Sequence, residues 1–308
     1  MAGRVPGERA QGVRGKQADA ARGAVGQGER ALEAIGGRSG VGVKNKRRGT
    51  GVMRAESATV VARNAVIVER IRALKADHPF WGYRRVWATL RFTAKLLITQ
   101  KRVRRLMQTH GLLVMVTTTL RALRTPTRSK PRPTQPDQWY GIDMTKVMTA
   151  SGWSYVVIVL DWFDKKIVGH YAGEQAKASH WLLALAQAVN RQFPAGIEGH
   201  TLHLMSDNGS QPTSVKFMVT GGQFGLEQAF TSYNNPKGNA DTERMMRTLK
   251  EELFWLREWT SPTQIAEALD AWVAWYNENY RHSTLGYKTP NEFKLEWKDS
   301  LKTQLQVA

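Results

Sequence analysis

The sequence predicts an α/β protein in which a region of five strand-like segments interspersed with helices follows a smaller, helical and strongly basic unit. Two observations carry this expectation. From Gln138 onward three strand-like runs stand close together, WYGIDMTKVM, WSYVVIVLDWF and KKIVGHYAG, and helical and strand patterns then alternate. Upstream, apolar residues recur at helical spacing among many Lys and Arg, and a Pro-rich stretch separates the two regions.

Residues 1–52 differ from the rest. They hold 13 glycines, 11 Lys or Arg, 4 Asp or Glu and no aromatic residue. Such a stretch buries too little apolar area to offset its ordering entropy, so a disordered segment is expected. It reads either as a basic arm for DNA or as a translated upstream region with the start near Met53.

From Ser57 to Ala76, Val60, Ile67, Ile71 and Leu74 predict an amphipathic helix. HPFWGYRRVWATLRF follows, with Arg84 and Arg85, and then LLITQKRVRRLMQTHGLL. In the latter Val103, Leu106 and Met107 make an apolar stripe, while Lys101, Arg102, Arg104 and Arg105 occupy the other faces. Thr99 is placed to cap this helix and Gly111 to end it. Two short basic helices after a longer one predict a helix-turn-helix unit over residues 53–123. Its basic residues read as phosphate contacts or as a solvated helix surface. Residues 124–137, containing RTPTRSKPRPTQP, read as an extended linker.

The main unit spans residues 138–260. After the three strands, Leu182, Leu185, Ala186 and Val189 predict a helix over 178–193, HTLHLM a fourth strand and LEQAFTS a fifth. Gly221 and Gly222 predict a shortened helix before the fifth strand. A helix is expected from Asn239 to about Trp259, with Met246, Leu249, Leu253 and Leu256 inward. Glu243, Arg247 and Lys250 then share an adjacent face, because steps of four and seven return to nearly the same angle. Residues 261–308 begin with an amphipathic helix over 263–276, with Ile265, Leu269, Trp272, Val273 and Tyr276 inward, and continue into a basic loop. No element is read after Trp297.

A net charge of +19 and a pI near 10.3 point to a polyanionic partner such as nucleic acid. Charge alone does not separate an enzyme acting on DNA from a ribosomal or membrane-surface protein. The absence of cysteine excludes disulfides and thiolate zinc sites and accords with a cytoplasmic, nucleoid-associated protein. No apolar run reaches the roughly 18 residues that a membrane helix needs.

Three acidic residues stand in distinctive words. Asp143 lies in WYGIDMT, Asp207 in SDNGSQ and Glu243 in NPKGNADTER, which LK follows. Thirty-five residues separate Asp207 from Glu243. These words resemble the D,D(35)E core shared by retroviral integrases and insertion-sequence transposases. The later segment YNENYRHSTLGYKTPNEF resembles the end of the catalytic frame of two-frame bacterial insertion elements. The resemblance covers roughly residues 55–295 and implies a ribonuclease H-like core.

It further implies an enzyme that cleaves element ends in double-stranded DNA and joins the exposed 3′ hydroxyl to target DNA. Asp143, Asp207 and Glu243 would hold two Mg²⁺ or Mn²⁺ ions, with Asp143 shared, and Lys250 and, with weaker support, Arg247 would meet terminal phosphates. A homo-oligomer on DNA and the product of an upstream frame are the implied protein partners. Taken singly, each acidic residue reads more readily as a solvated surface group. A ribonuclease H-like nuclease and an inactive DNA-binding regulator are the alternatives. His282 is expected to serve structure or the DNA backbone rather than acid–base chemistry.

Overall fold

Five segments rich in β-branched and aromatic residues pair into one mixed sheet. They are β1 (Trp139–Thr149), β2 (Gly152–Asp161), β3 (Ile167–Gly173), β4 (Leu202–Ser206) and β5 (Leu226–Phe230), in the order β3-β2-β1-β4-β5. β1, β2 and β3 form an antiparallel meander, while β4 lies parallel to β1 and β5 parallel to β4. This is the ribonuclease H-like arrangement. It is seen in a computed structural model that describes residues 58–114, 131–197, 199–231 and 238–307. The expectations for residues 1–52 and for the first half of the linker lie outside the described residues.

The helices are α1 (Ala58–Asp77), α2 (Tyr83–Ala88), α3 (Gln100–Thr109), α4 (Ala178–Gln192), α5 (Val215–Gln223), α6 (Ala240–Glu252), α7 (Pro262–Asn279) and α8 (Pro290–Val307). Thr99 caps α3 by accepting from the Arg102 amide, and Gly111 follows its end at φ 65°. Among the described residues no helix is long and apolar enough to cross a membrane.

Alternation along the strands divides the core. Tyr140, Ile142, Val157 and Val159 face α4 and α5, meeting Trp181, Leu185 and Phe217. Val156, Ile158 and Leu160 face the other way, into a cluster built from α6, α7 and the N-terminal helices. Trp81, Val86, Val103 and Met107 belong to that second cluster, so the helix-turn-helix segment shares its apolar core with the sheet. A stack joins them: His78 lies parallel to Trp81 at 3.9 Å and to Trp275 of α7 at 5.2 Å.

Three expectations are corrected. α6 ends at Glu252, seven residues before Trp259, and Leu256 is exposed. There the chain turns through a short 3₁₀ segment, because its backbone is drawn to the β1–β2 turn: the Ala150 amide donates to Trp259 O at 2.9 Å. α5 forms intact through Gly221 and Gly222, nucleated by a Ser214 cap on the Phe217 amide and fastened by buried Phe217. α8 lies where no element was read. Its start is a capping box, with the Thr289 amide donating to Glu292 at 3.0 Å and the Glu292 amide to Thr289 Oγ1 at 3.2 Å, and Pro290 at the first turn.

α8 is held by an ion cluster. Lys294, 5% exposed, reaches Asp137 at 2.7 Å, Gln192 at 2.8 Å and Asp164 at 3.8 Å. Burial raises the carboxyl pKa of Asp164 to about 6, against the pull of Lys294. Removing the cation would leave Asp137 and fully buried Asp164 uncompensated. Lys294→Met is therefore expected to cost about 3 kcal/mol or more in denaturant unfolding.

His282 packs beside Tyr276 and Tyr280. The Tyr276 hydroxyl donates its one proton to Lys165 O at 3.0 Å, so His282 Nε2 donates to that hydroxyl at 2.8 Å. Burial, reinforced by Arg85 and Lys165, lowers its pKa from 6.5 to about 3. Below pH 6.5 the unfolded chain takes up a proton that the folded chain refuses, so stability falls as pH falls. Between pH 6.5 and 5 the loss approaches ~2 kcal/mol. Burial also lowers His170, which adds to the same slope. Unfolding curves at stepped pH check this: His282→Gln should flatten the dependence.

Candidate active site

The register of the sheet places the first two acidic residues. β1 and β4 pair through Trp139↔His203, Tyr140↔Leu204 and Gly141↔Met205. Asp143 and Asp207 each stand two residues beyond that last pair, where the two strands part. Asp143 is opposite Ile158 on β2 and so shares its face, the one covered by α6.

The third residue arrives on α6, whose first turn touches β1 backbone to side chain. A Cβ built on Gly141 would lie 1.9 Å from Thr242 Oγ1 and 2.4 Å from Trp162 Nε1, so only glycine lets the helix approach this closely. Three groups fasten the contact. Trp162 Nε1 donates to Thr242 Oγ1 at 3.0 Å, Asn239 Nδ2 donates to Ile142 O at 3.2 Å, and Thr242 is fully buried. Glu243 follows Thr242 in the first turn, where the positive end of the helix dipole favours a carboxylate.

Electrostatics show the convergence. Burial raises the pKa of Asp143 to about 6; the charges of Asp207 and Glu243 push it further up, while the Met144 amide and Lys250 pull it down. The Met144 amide donates to Asp143 Oδ1 at 2.7 Å. Asp207 and Glu243 are both exposed, and Asp207 Oδ1 accepts from the Gly209 amide at 3.1 Å. Among the described residues no group of three or more His, Asp or Glu is gathered tightly enough to hold a metal ion as it stands.

The basic residues expected to meet DNA divide. Lys250 lies near Asp143 and acts on its charge. Arg247 is exposed and pairs with Glu251 at 2.7 Å. Arg84, Lys101, Arg104 and Arg105 are exposed, and Arg84 and Arg104 both lie 5.6 Å from the Tyr83 ring. Arg85 and Arg102 are used by the fold instead. Arg85 stacks on Tyr280 at 4.2 Å and stands 3.8 Å from Glu252, and Arg102 holds Asn64 Oδ1 at 2.7 Å. A run of arginines gives no sign in sequence of which ones turn inward.

Gly141, Trp162, Asn239 and Thr242 were not singled out by sequence reasoning. Gly141 was the legible one, a glycine inside an otherwise apolar strand, which marks a close backbone approach.

Residues 133–236 and 224–290 match two family models, each described as an integrase core domain, and residues 62–117 match an HTH-like domain. The chain is 28% identical over 230 residues to the transposase for insertion sequence element IS629 of Shigella sonnei, covering 72% of this chain and 76% of that one. It is 27% identical over 241 residues to the putative transposase for IS986/IS6110 of Mycobacterium tuberculosis strain CDC 1551, covering 74% and 85%. A shorter match, 30% over 158 residues, joins it to the transposase for IS904 of Lactococcus lactis, covering 51% and 60%.

The close approach at Gly141 yields a prediction. Gly141→Ala should lower stability by about 1–3 kcal/mol through overpacking and displace Glu243. Gly82→Ala, whose new Cβ meets nothing within 4 Å, serves as the control. Thermal unfolding of the two variants checks it, and equal midpoints would contradict the packing argument.

Proposed function

We propose that this chain, which belongs to the bacterial insertion-sequence transposases of the integrase superfamily, cleaves the ends of its element and joins the exposed 3′ hydroxyl to target DNA. The observation that supports this reading is that Asp207, beyond a second strand end, and Glu243, in a helix's first turn, both act on the charge of Asp143.

Phosphodiester cleavage needs an activated oxygen, a stabilised leaving oxygen and relief of the negative charge on the phosphate. Two divalent cations supply all three. The donor set fits Mg²⁺ or Mn²⁺, since every candidate ligand is a carboxylate oxygen. Asp143 would be shared between the ions, with Asp207 and Glu243 holding one each. The raised pKa of Asp143 supports its having a cation partner, because a carboxylate desolvated by burial, and further repelled by two others, gains most from a nearby positive charge.

The chain's own residues do the positioning. The Met144 amide orients Asp143, the Gly209 amide orients Asp207, and the Thr242–Trp162 bond sets the start of α6. Lys250 lies beside the carboxylates and would hold a terminal phosphate. The exposed arginines of α2 and α3 would follow DNA backbone, and paired copies of the chain would bring two element ends together.

Incubation with labelled element-end DNA, Mg²⁺ or Mn²⁺ and an acceptor duplex tests the reading. Wild-type protein should yield joined products, and Asp143→Asn should reduce both cleavage and joining to background while leaving DNA binding intact. Cleavage without joining would favour a nuclease, and binding alone a regulator.

A further inference from the structure

A groove of about 520 Å³ opens between the far half of β1 with its turn and the segment after α6, with Lys250, which acts on the charge of Asp143, on its wall. Its volume falls within the roughly 300–1,000 Å³ of ligand clefts. β4 pairs with β1 only as far as Gly141, so among the described residues β1 carries no strand on this side from Asp143 to its end. The groove follows that open edge toward residues 146–150.

Its far end is closed by backbone bonds. The Ala150 amide donates to Trp259 O at 2.9 Å and the Ser151 amide to Thr260 O at 3.3 Å. Phe254 and Trp259, both buried, form an apolar floor and lie edge to face at 6.1 Å. The rim is different. Trp255 is 61% exposed and, among the described residues, has no ring, hydrogen-bond or ion-pair partner. Lys250 and Arg257 flank it, and neither is paired with a described carboxylate. Arg257 lies 4.2 Å from the Trp259 ring, which orients its guanidinium without neutralising it. Glu258 is the one carboxylate among the described residues lining the groove.

A large bare indole in a groove lined by Lys146, Lys250 and Arg257 suits a ligand with an aromatic face and negative charge close together. Nucleotides have both. In a duplex, base faces are covered by their neighbours, so only an unpaired nucleotide offers one to Trp255. From these observations we infer that the groove binds an unpaired DNA strand leading away from the candidate active site, with Trp255 as the base platform and Arg257 on the phosphates. Only the identity of that strand, as the opened end of the element, rests on the proposed transposase activity; its chemistry does not.

Fluorescence anisotropy of the full chain with a short labelled single-stranded oligonucleotide, and with the matching duplex, tests this. Trp255→Ala should weaken single-strand binding by roughly 5- to 150-fold, with a much smaller effect on the duplex. Trp255→Phe should restore most of the loss. Arg257→Ala should lower the slope of log affinity against log salt by about one contact, which Trp255→Ala should leave unchanged. Leu183→Ala removes another exposed large apolar side chain, on α4 and outside the groove, and should change nothing. Unchanged single-strand affinity in Trp255→Ala would overturn the inference. So would a change of oligomeric state by sedimentation without a loss of DNA affinity, which would make Trp255 a contact between copies of the chain. If wild-type protein joins no DNA yet binds single strands through Trp255, the groove stands and the transposase reading fails.

Discussion

The contact between Gly141 and the first turn of α6 is the constraint on which the site depends. A strand and a helix ordinarily stay apart by the bulk of their side chains, and here that bulk is missing on one side. Thr242 moves into the gap and is bonded by Trp162, and Asn239 reaches the backbone of Ile142. Asn239 makes no side-chain cap on its own helix; its amide is used as a tether instead. One residue after Thr242 comes Glu243, and two after Gly141 comes Asp143. The distance between two site residues is thus set by buried contacts immediately next to them, which is more rigid than placement through exposed loops.

The other end of α6 is fastened as well. Glu252 is 7% exposed and accepts from, or pairs with, His78 at 2.9 Å, while Arg85 stands 3.8 Å away. His78 lies in the aromatic stack between the N-terminal helices and α7. The helix that carries Glu243 is therefore attached to the sheet at its start and to the helix-turn-helix segment at its end. This explains why Arg85 is not left for DNA. A buried carboxylate at the end of α6 needs nearby cations or donors, and Arg85 and His78 provide them.

Much of the fold was legible because it follows from periodicity. The five strands and the inward residues of α7 from Ile265 to Tyr276 obey the two- and 3.6-residue repeats. The start of α8 was legible in principle, for Thr289 and Glu292 spell a capping box around Pro290. What periodicity does not contain is competition from distant partners. The end of α6 is decided by backbone bonds from Trp259 and Thr260 to the β1–β2 turn, more than a hundred residues earlier. The fate of Arg85 and Arg102 is decided by Tyr280, Glu252 and Asn64, none of them local. The candidate site was legible as a set of words in the sequence, whereas its supports, Thr242, Asn239 and Trp162, required the packed structure.

The three carboxylates are not equivalent, and the difference has a chemical consequence. Asp207 and Glu243 remain in water, which stabilises their charges wherever they stand. Asp143 is largely removed from water by β2 and α6, so its charge is the costly one and its pKa rises to about 6. A bound cation offsets most where charge is least solvated, so Asp143 has the most to gain from one. The solvated pair can adjust their side chains toward an arriving ion, but Asp143 is fixed by the sheet and by the Met144 amide. On the proposed reading, rigidity at one carboxylate and freedom at two would let the site assemble around a divalent ion and phosphate together, with the sheet as its fixed reference.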